Sequence, residues 1–417
     1  MRKIFAVIFC LCSIIIYAQD SKQDKAYYPA GTIKAKRTHH ANHEKCEYWY
    51  YYENGNLKST GYNFEYKSEG KNKRDKVGKW NYFREDGSLI NEGLYEKNKK
   101  IGEWKYYNEK GNLSHYGIYE NGERTGIWSY LNDNGNVKRY GGFKNKKAFG
   151  EWHYFSENGT LIKKGILEEG KKSGEWQFYN NNGQLTSIGS YKNGEEIGLW
   201  NYFYDNGVLS KAGYFENGNA TSQWKFYDNL GNLTHEGFYQ NGKKSGLWKN
   251  YDKDGTLVTS GSFEDNEAVG IWTFYHDTIE GYYTKQFVNG NPTRKISFYN
   301  QEGVLQRIGE HDGDMMEGKW QWFDANGNIT KTAHFSKNLQ TGVWESFYEN
   351  GITNQKGYAL NGKAEGLEKN YHENGNLYST GKFKNGLMHG EWKYYDEEET
   401  YVKSVFYDNG VIIPNNN

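Results

Sequence analysis

The sequence predicts an all-β protein: an elongated array of about 15 β-hairpin repeats of 24 residues, forming a twisted, groove-like antiparallel sheet. Three observations predict it. Tryptophan recurs every 24 residues at Trp80, Trp104, Trp128, Trp152, Trp176, Trp200, Trp224, Trp248 and Trp272, and the same register carries Trp320, Trp344 and Trp392. Glycines keep the same period, at Gly87, Gly111, Gly135, Gly159, Gly183, Gly207, Gly231 and Gly255, and again at Gly303, Gly327, Gly351 and Gly375. Aromatic residues make 18% of a chain with only 3 Pro, which suits packed strands and not a disordered or Pro-rich chain.

One repeat reads approximately Gly-x-Trp-x-Tyr-Tyr-x-x-Asn-Gly-x-Leu-x-x-x-Gly-x-Tyr-x-Asn-Gly-x-x-x. Aromatic runs bounded by Asn-Gly read as strand, turn, strand. Asn and Gly tolerate the positive φ that tight hairpin turns demand. Side chains alternate along a strand, so Trp104 and Tyr106 share one face and Tyr107 points to the other. On the returning strand, Gly117 leaves space for a neighbouring ring. A lone hairpin is marginal in water, so each repeat covers the apolar face of the next, with Trp on Trp and Tyr on Tyr. Two strands per repeat at about 4.8 Å spacing give a body on the order of 140 Å long.

The pattern divides the chain as follows. Residues 1–18 have the charged, apolar, small-residue order of a signal peptide, with Arg2 and Lys3 ahead of the run Ile4 to Tyr17. Residues 19–26 are a tail, and 27–278 the first part of the array. Residues 279–302 are a degenerate repeat in which Ile296 takes the Trp slot, with Pro292 beside it, read as a bend. Residues 303–411 are the second part and 412–417 a C-terminal tail. Between Gly55 and Gly87 the spacing is 32 instead of 24, and the charged segment Ser68 to Lys76 is read as a longer loop. Asp396-Glu397-Glu398-Glu399 reads as a polar cap against edge pairing.

Charge excludes some classes of function. Lys+Arg and Asp+Glu both number 52, so the whole chain offers no basic field for nucleic acid and no strong membrane signal beyond the leader. With the leader removed, Cys46 is the one cysteine left, so stability comes from packing.

The segments Asn241-Gly242-Lys243-Lys244-Ser245-Gly246-Leu247-Trp248 and Asn385-Gly386-Leu387-Met388-His389-Gly390-Glu391-Trp392 resemble MORN repeats, in the variant form of bacterial proteins of the YwqK-type antitoxin family. The resemblance implies a scaffold or a protein or lipid binder, and the antitoxin label implies a bound toxin. The pattern Trp-x-Tyr-Tyr-x-x-x-Gly-x-Leu is also similar to the hairpin repeats of cell-wall and glucan-binding modules, which bind choline or sugars on exposed aromatic faces.

The candidate sites follow the register. The twelve tryptophans named above are expected to be the structural core. The second aromatic of each pair (Tyr107, Phe155, Tyr179, Phe203 and Tyr395) forms a row on the other face and is the candidate binding surface. His39-His40-Ala41-Asn42-His43-Glu44-Lys45-Cys46 has the composition of a metal cluster, but the register makes it a degenerate first repeat, and no metal is expected there. Asp252-Lys253-Asp254-Gly255 opens like a calcium loop without its closing Glu and reads as a hairpin turn. No nucleophile, base and oxyanion-donor set is recognisable. The expectation is therefore a non-enzymatic protein without cofactor, exported to the periplasm, the outer membrane or the medium. It binds another protein; the alternatives are a cell-envelope glycan, or a toxin bound in an antitoxin or immunity role.

Overall fold

The computed structural model describes residues 23–39, 45–275 and 281–414; the leader expected over 1–18 lies outside them. Among the described residues there are 35 strands and no helix. The chain divides into two compact units, Met1–Glu196 and Ile197–Asn417. In each, strands pair antiparallel with their chain neighbours as sequential hairpins, and among the described residues no pairing closes either sheet into a barrel.

The two turns of a repeat differ. At Asn121-Gly122 both residues have positive φ, 51° and 83°, the backbone of a two-residue type I′ hairpin. At Asn108–Asn112 the amide of Gly111 donates to the Asn108 carbonyl (3.0 Å), and only the glycine has positive φ. That is a type I turn closed by a bulged glycine. The Asn108 side chain accepts from the amides of Lys110 and Asn112 instead of bending the backbone.

The segment expected to be a charged loop is a longer hairpin. Strands β1 (Gln23–Tyr27), β2 (Ile33–His39), β3 (Lys45–Tyr51), β4 (Leu57–Ser68) and β5 (Lys71–Phe83) open the first unit. The register between β4 and β5 runs on to Ser68↔Lys71 around the turn Glu69-Gly70. The eight additional residues lengthen each strand by the same even number, so every side chain keeps its face.

Both expected tails contribute strands: β1 starts at Gln23, and the strand Val411–Ile413 pairs with Tyr401–Asp408. The acidic run at 396–399 is a turn, and the last strand presents exposed Val411 and Ile412. The degenerate repeat continues the ladder. Tyr282–Val288 pairs without a register shift against Glu267–Tyr275, and Ile296 is buried in the tryptophan slot. Pro292, part of the reason to expect a bend, stands in the strand Asn291–Tyr299 opposite Phe287, and residues 276–280 lie outside the described residues.

In the regular repeats the ladder glycine receives the tryptophan eleven residues further on, and across the lengthened hairpin Gly61 receives Trp80. A Cβ on Gly117 would stand 2.3 Å from Trp128 Cδ2, and one on Gly93 2.3 Å from Trp104 Cδ2. The indole lies flat on the glycine, and its Nε1–H donates to the carbonyl of the next residue, Trp128 to Ile118 at 3.1 Å. Successive tryptophans do not touch. They stand two strand spacings apart, about 9.6 Å, and tyrosine fills the interval: Tyr106 lies 6.2 Å from both Trp104 and Trp128, and Tyr119 meets Trp128 edge-on at 5.2 Å.

Candidate functional site

Eleven of the twelve tryptophans are at most 8% exposed. Trp344 is the departure and is only half-buried. Its ladder position, eleven residues earlier, is Ala333 instead of Gly, and the Ala333 methyl (0% exposed) occupies the place of an indole. Trp344 lies over Gly357 instead, with ring atoms 3.1–3.2 Å from a Cβ built there. Where the tryptophan slot holds Ile296, the ladder position is free to be Lys285.

On the tryptophan face, basic side chains lie across the rings. Lys100 Nζ is 4.0 Å from the Trp104 ring centre and donates to the Tyr106 hydroxyl at 2.9 Å. Lys76 and Lys244 lie 4.5 and 4.3 Å over Trp80 and Trp248, and the Arg124 guanidinium 4.6 Å over Trp128. Burial pushes the Lys76 and Lys100 ammonium groups below their ordinary range, with a further push from neighbouring cations. These cations stay because ring quadrupoles replace part of their hydration.

The expected second aromatic row lies on the opposite face but is half-buried throughout. Tyr107 donates to Glu92 Oε1 at 2.8 Å, and burial, followed by Glu92, pushes its phenol up to about 12. Phe155 stacks on Tyr140 at 5.8 Å. Tyr179 donates to the Gln177 side chain, Phe203 stands opposite Leu209 just past a shift in the ladder after Tyr202, and Tyr395 meets Tyr401 edge-on. Neighbours on the same face occupy these rings. The exposed residues on this face are those just after the ladder glycine (Leu94, Ile118, Ile166, Tyr214, Phe238 and Tyr358) and those just before the tryptophan, led by Ile127 at 62% and Ile271 at 69% exposed. In the second unit Leu199 stands opposite Tyr214, and Val343 opposite Tyr358. The signal for this row is present in the sequence as the middle residue of Gly-x-Trp, but it is diluted by Glu103, Glu151 and Glu175 at the same position.

The start of the first unit differs from the repeats. Arg37 bridges Asp24 and Glu65, the latter at 2.9 Å, and Tyr48 donates to Glu65. Burial alone would raise the Glu65 carboxyl, but hydrogen bonds from Tyr48 and Arg37 outweigh it and hold it below the usual range. Cys46 Sγ lies 3.3 Å from His39 Nδ1, and His39 Nε2 lies 3.2 Å from Asp24 Oδ2. The row looks like a cysteine–histidine–carboxylate triad. Burial, then Glu65, pushes the Cys46 thiol up, the wrong direction for a thiolate nucleophile. Glu65 and Arg74 belong to the lengthened hairpin and face each other across it. His40 and His43 lie outside the described residues. At the expected turn Asp252–Gly255, Asp252 Oδ1 accepts from the amides of Asp254 (2.9 Å) and Thr256 (2.8 Å), so the backbone uses it.

Four segments of the chain, residues 172–193, 316–337, 340–363 and 364–385, match the family model of the MORN repeat variant. No curated protein matches the chain. Among solved structures it is similar to a crystal structure of TcdB2-TccC3, at 11% identity over 89% of this chain and 20% of that one, TM-score 0.17. It is also similar to one of TcdB2-TccC3-Cdc42, at 10% identity over 93% and 26%, TM-score 0.16. The chain spans about a fifth to a quarter of the length of these structures, and at such TM-scores they carry no argument about its function.

Proposed function

We propose that this chain is an exported, non-enzymatic scaffold that binds another protein on the face away from its tryptophans. The observation that carries the reading is the exposed row of Leu, Ile, Val, Tyr and Phe that recurs on that face in both units. Where members of the row stand opposite one another, as Leu199 with Tyr214 and Val343 with Tyr358, they form exposed apolar patches of the kind that mark interaction sites. Its regular spacing suits a partner engaged through several successive repeats. The MORN-variant segments support a binding or scaffold role. Export rests on Arg2, Lys3 and the apolar run after them.

The test is capture of partners from an extract of the cell envelope, with half the extract digested by protease beforehand. Loss of capture after digestion supports a protein partner, and Ile118→Glu with Ile166→Glu should then weaken it. Capture that survives digestion and both substitutions overturns this reading in favour of a glycan. A single stoichiometric partner would match the antitoxin-type resemblance. N-terminal sequencing of the exported chain checks the leader.

A further inference from the structure

We propose that His39, Cys46 and Glu65 form a binding site for a divalent transition-metal ion, of which zinc fits the ligand set best. One donor atom from each residue lies within 4.8 Å of the other two. Donors around one tetrahedral zinc stand about 3.4–3.8 Å apart, given bonds of about 2.0–2.3 Å. The set therefore has to draw in by about 1 Å at its widest, within reach of side-chain rotation.

The surroundings are those of a metal site, and they are what separates this cluster from a chance meeting. Ligating histidines donate their second ring nitrogen to a carboxylate, and ligating carboxylates are themselves held by hydrogen bonds. His39 has Asp24 Oδ2 at 3.2 Å from Nε2, which leaves Nδ1 turned toward Cys46. Glu65 is held by Arg37 and Tyr48. The register explains how the residues meet: His39 pairs with Cys46 across β2 and β3, and Cys46 with Asn63 across β3 and β4. Glu65, two residues further along β4, shares the face of Asn63. Without the lengthened β4–β5 hairpin there would be no carboxylate at that height.

The charges also close. On binding, the Cys46 S–H bond breaks, its proton goes to solvent, and the sulfur pair forms the metal–sulfur bond. Thiolate and Glu65 carboxylate then balance the two positive charges, His39 binds neutral, and Arg37 is balanced by Asp24. Cys46 is 3% exposed and is the one cysteine among the described residues, so no disulfide competes there. A cleft of about 750 Å³, lined by His39, Tyr48 and Glu65 and by the cations Arg37, Lys67, Lys73 and Arg74, opens beside the cluster, with room for a water as fourth ligand.

The experiment is titration of the full chain, carrying Cys10→Ser and Cys12→Ser so that Cys46 is the only thiol, with Co²⁺ and then Zn²⁺. The expected result is a thiolate-to-cobalt charge-transfer band that saturates at one ion per chain and is displaced by zinc. Cys46→Ser should abolish the band, and Asp24→Asn should keep it while weakening affinity about 10–100-fold. His39→Asn should lose stoichiometric binding, and it serves as the deciding variant if circular dichroism shows that Cys46→Ser does not fold. Absence of the band, or binding unchanged in His39→Asn, overturns the proposal. Neither outcome bears on partner capture by the opposite face.

Discussion

Gly117→Ala places one methyl group where the Trp128 indole lies. The new Cβ would stand 2.3 Å from Cδ2 and 2.5 Å from Cγ and Cε2. The backbone cannot yield, because Gly117 is paired on both sides, with Trp104 and with Trp128. The indole must therefore leave a position in which it is 0% exposed. Its Nε1–H bond to Ile118 is worth about 1 kcal/mol, and its edge-on contact with Tyr119 about 0.5–1.5 kcal/mol. Re-exposing the ring costs about 2 kcal/mol, while alanine returns about 0.5–1 kcal/mol over glycine in a strand. The net loss is about 3 kcal/mol, or about two orders of magnitude in local opening. Repeats contact mainly their neighbours, so the loss should be local. Hydrogen exchange should show it over 113–131, with distant repeats unchanged. In a Trp128→Leu background the same substitution should cost much less, because the ring it collides with is gone. Gly357→Ala is the internal comparison: its Cβ meets Trp344 at 3.1 Å and the next slot holds Glu368, so its effect should be mild. Unchanged protection over 113–131, or equal damage in both backgrounds, would refute the reasoning.

Four further expectations are open to measurement. Ala333→Gly should let Trp344 settle against residue 333, seen as a blue shift of tryptophan emission and a gain of about 1 kcal/mol, since burying a large side chain outweighs the entropy of one glycine. His115 and His235 are stacked on Tyr106 and Phe226 at 4.4 and 4.2 Å, and burial, followed by Arg124 and Arg139 or by Lys244, holds both below the ordinary 6.5. The unfolded chain then binds more protons in that window, so stability should fall as pH drops from about 6.5 through the lower folded values. His115→Phe with His235→Phe should flatten this slope in a series of melting curves. Tyr107→Phe removes the bond to Glu92 and should cost about 1 kcal/mol in denaturant unfolding, with no change in partner capture. Ile118→Glu and Ile166→Glu each set a carboxylate opposite Glu103 or Glu151 and should cost up to about 1 kcal/mol apiece while reducing capture of a protein partner, and retained capture would remove this face from consideration.

The sequence by itself determined the period, the strand–turn–strand repeat, the tryptophan slots and the separation of Tyr106 from Tyr107 onto opposite faces. These follow from local rules: alternation along a strand, and turn residues that accept positive φ. It also showed that Gly117 makes room for a ring. Only the tertiary structure decided which ring, because Trp128 lies eleven residues away across a turn and reaches Gly117 through the register of the next strand. The same holds for Trp344, displaced by one methyl at Ala333, and for Tyr107, whose exposure depends on Glu92 of the preceding repeat. Glu65 meets His39 and Cys46 for a related reason. Eight inserted residues that read as a charged loop form four more rungs of a hairpin, and cross-strand register, not sequence distance, sets what stands beside a buried thiol.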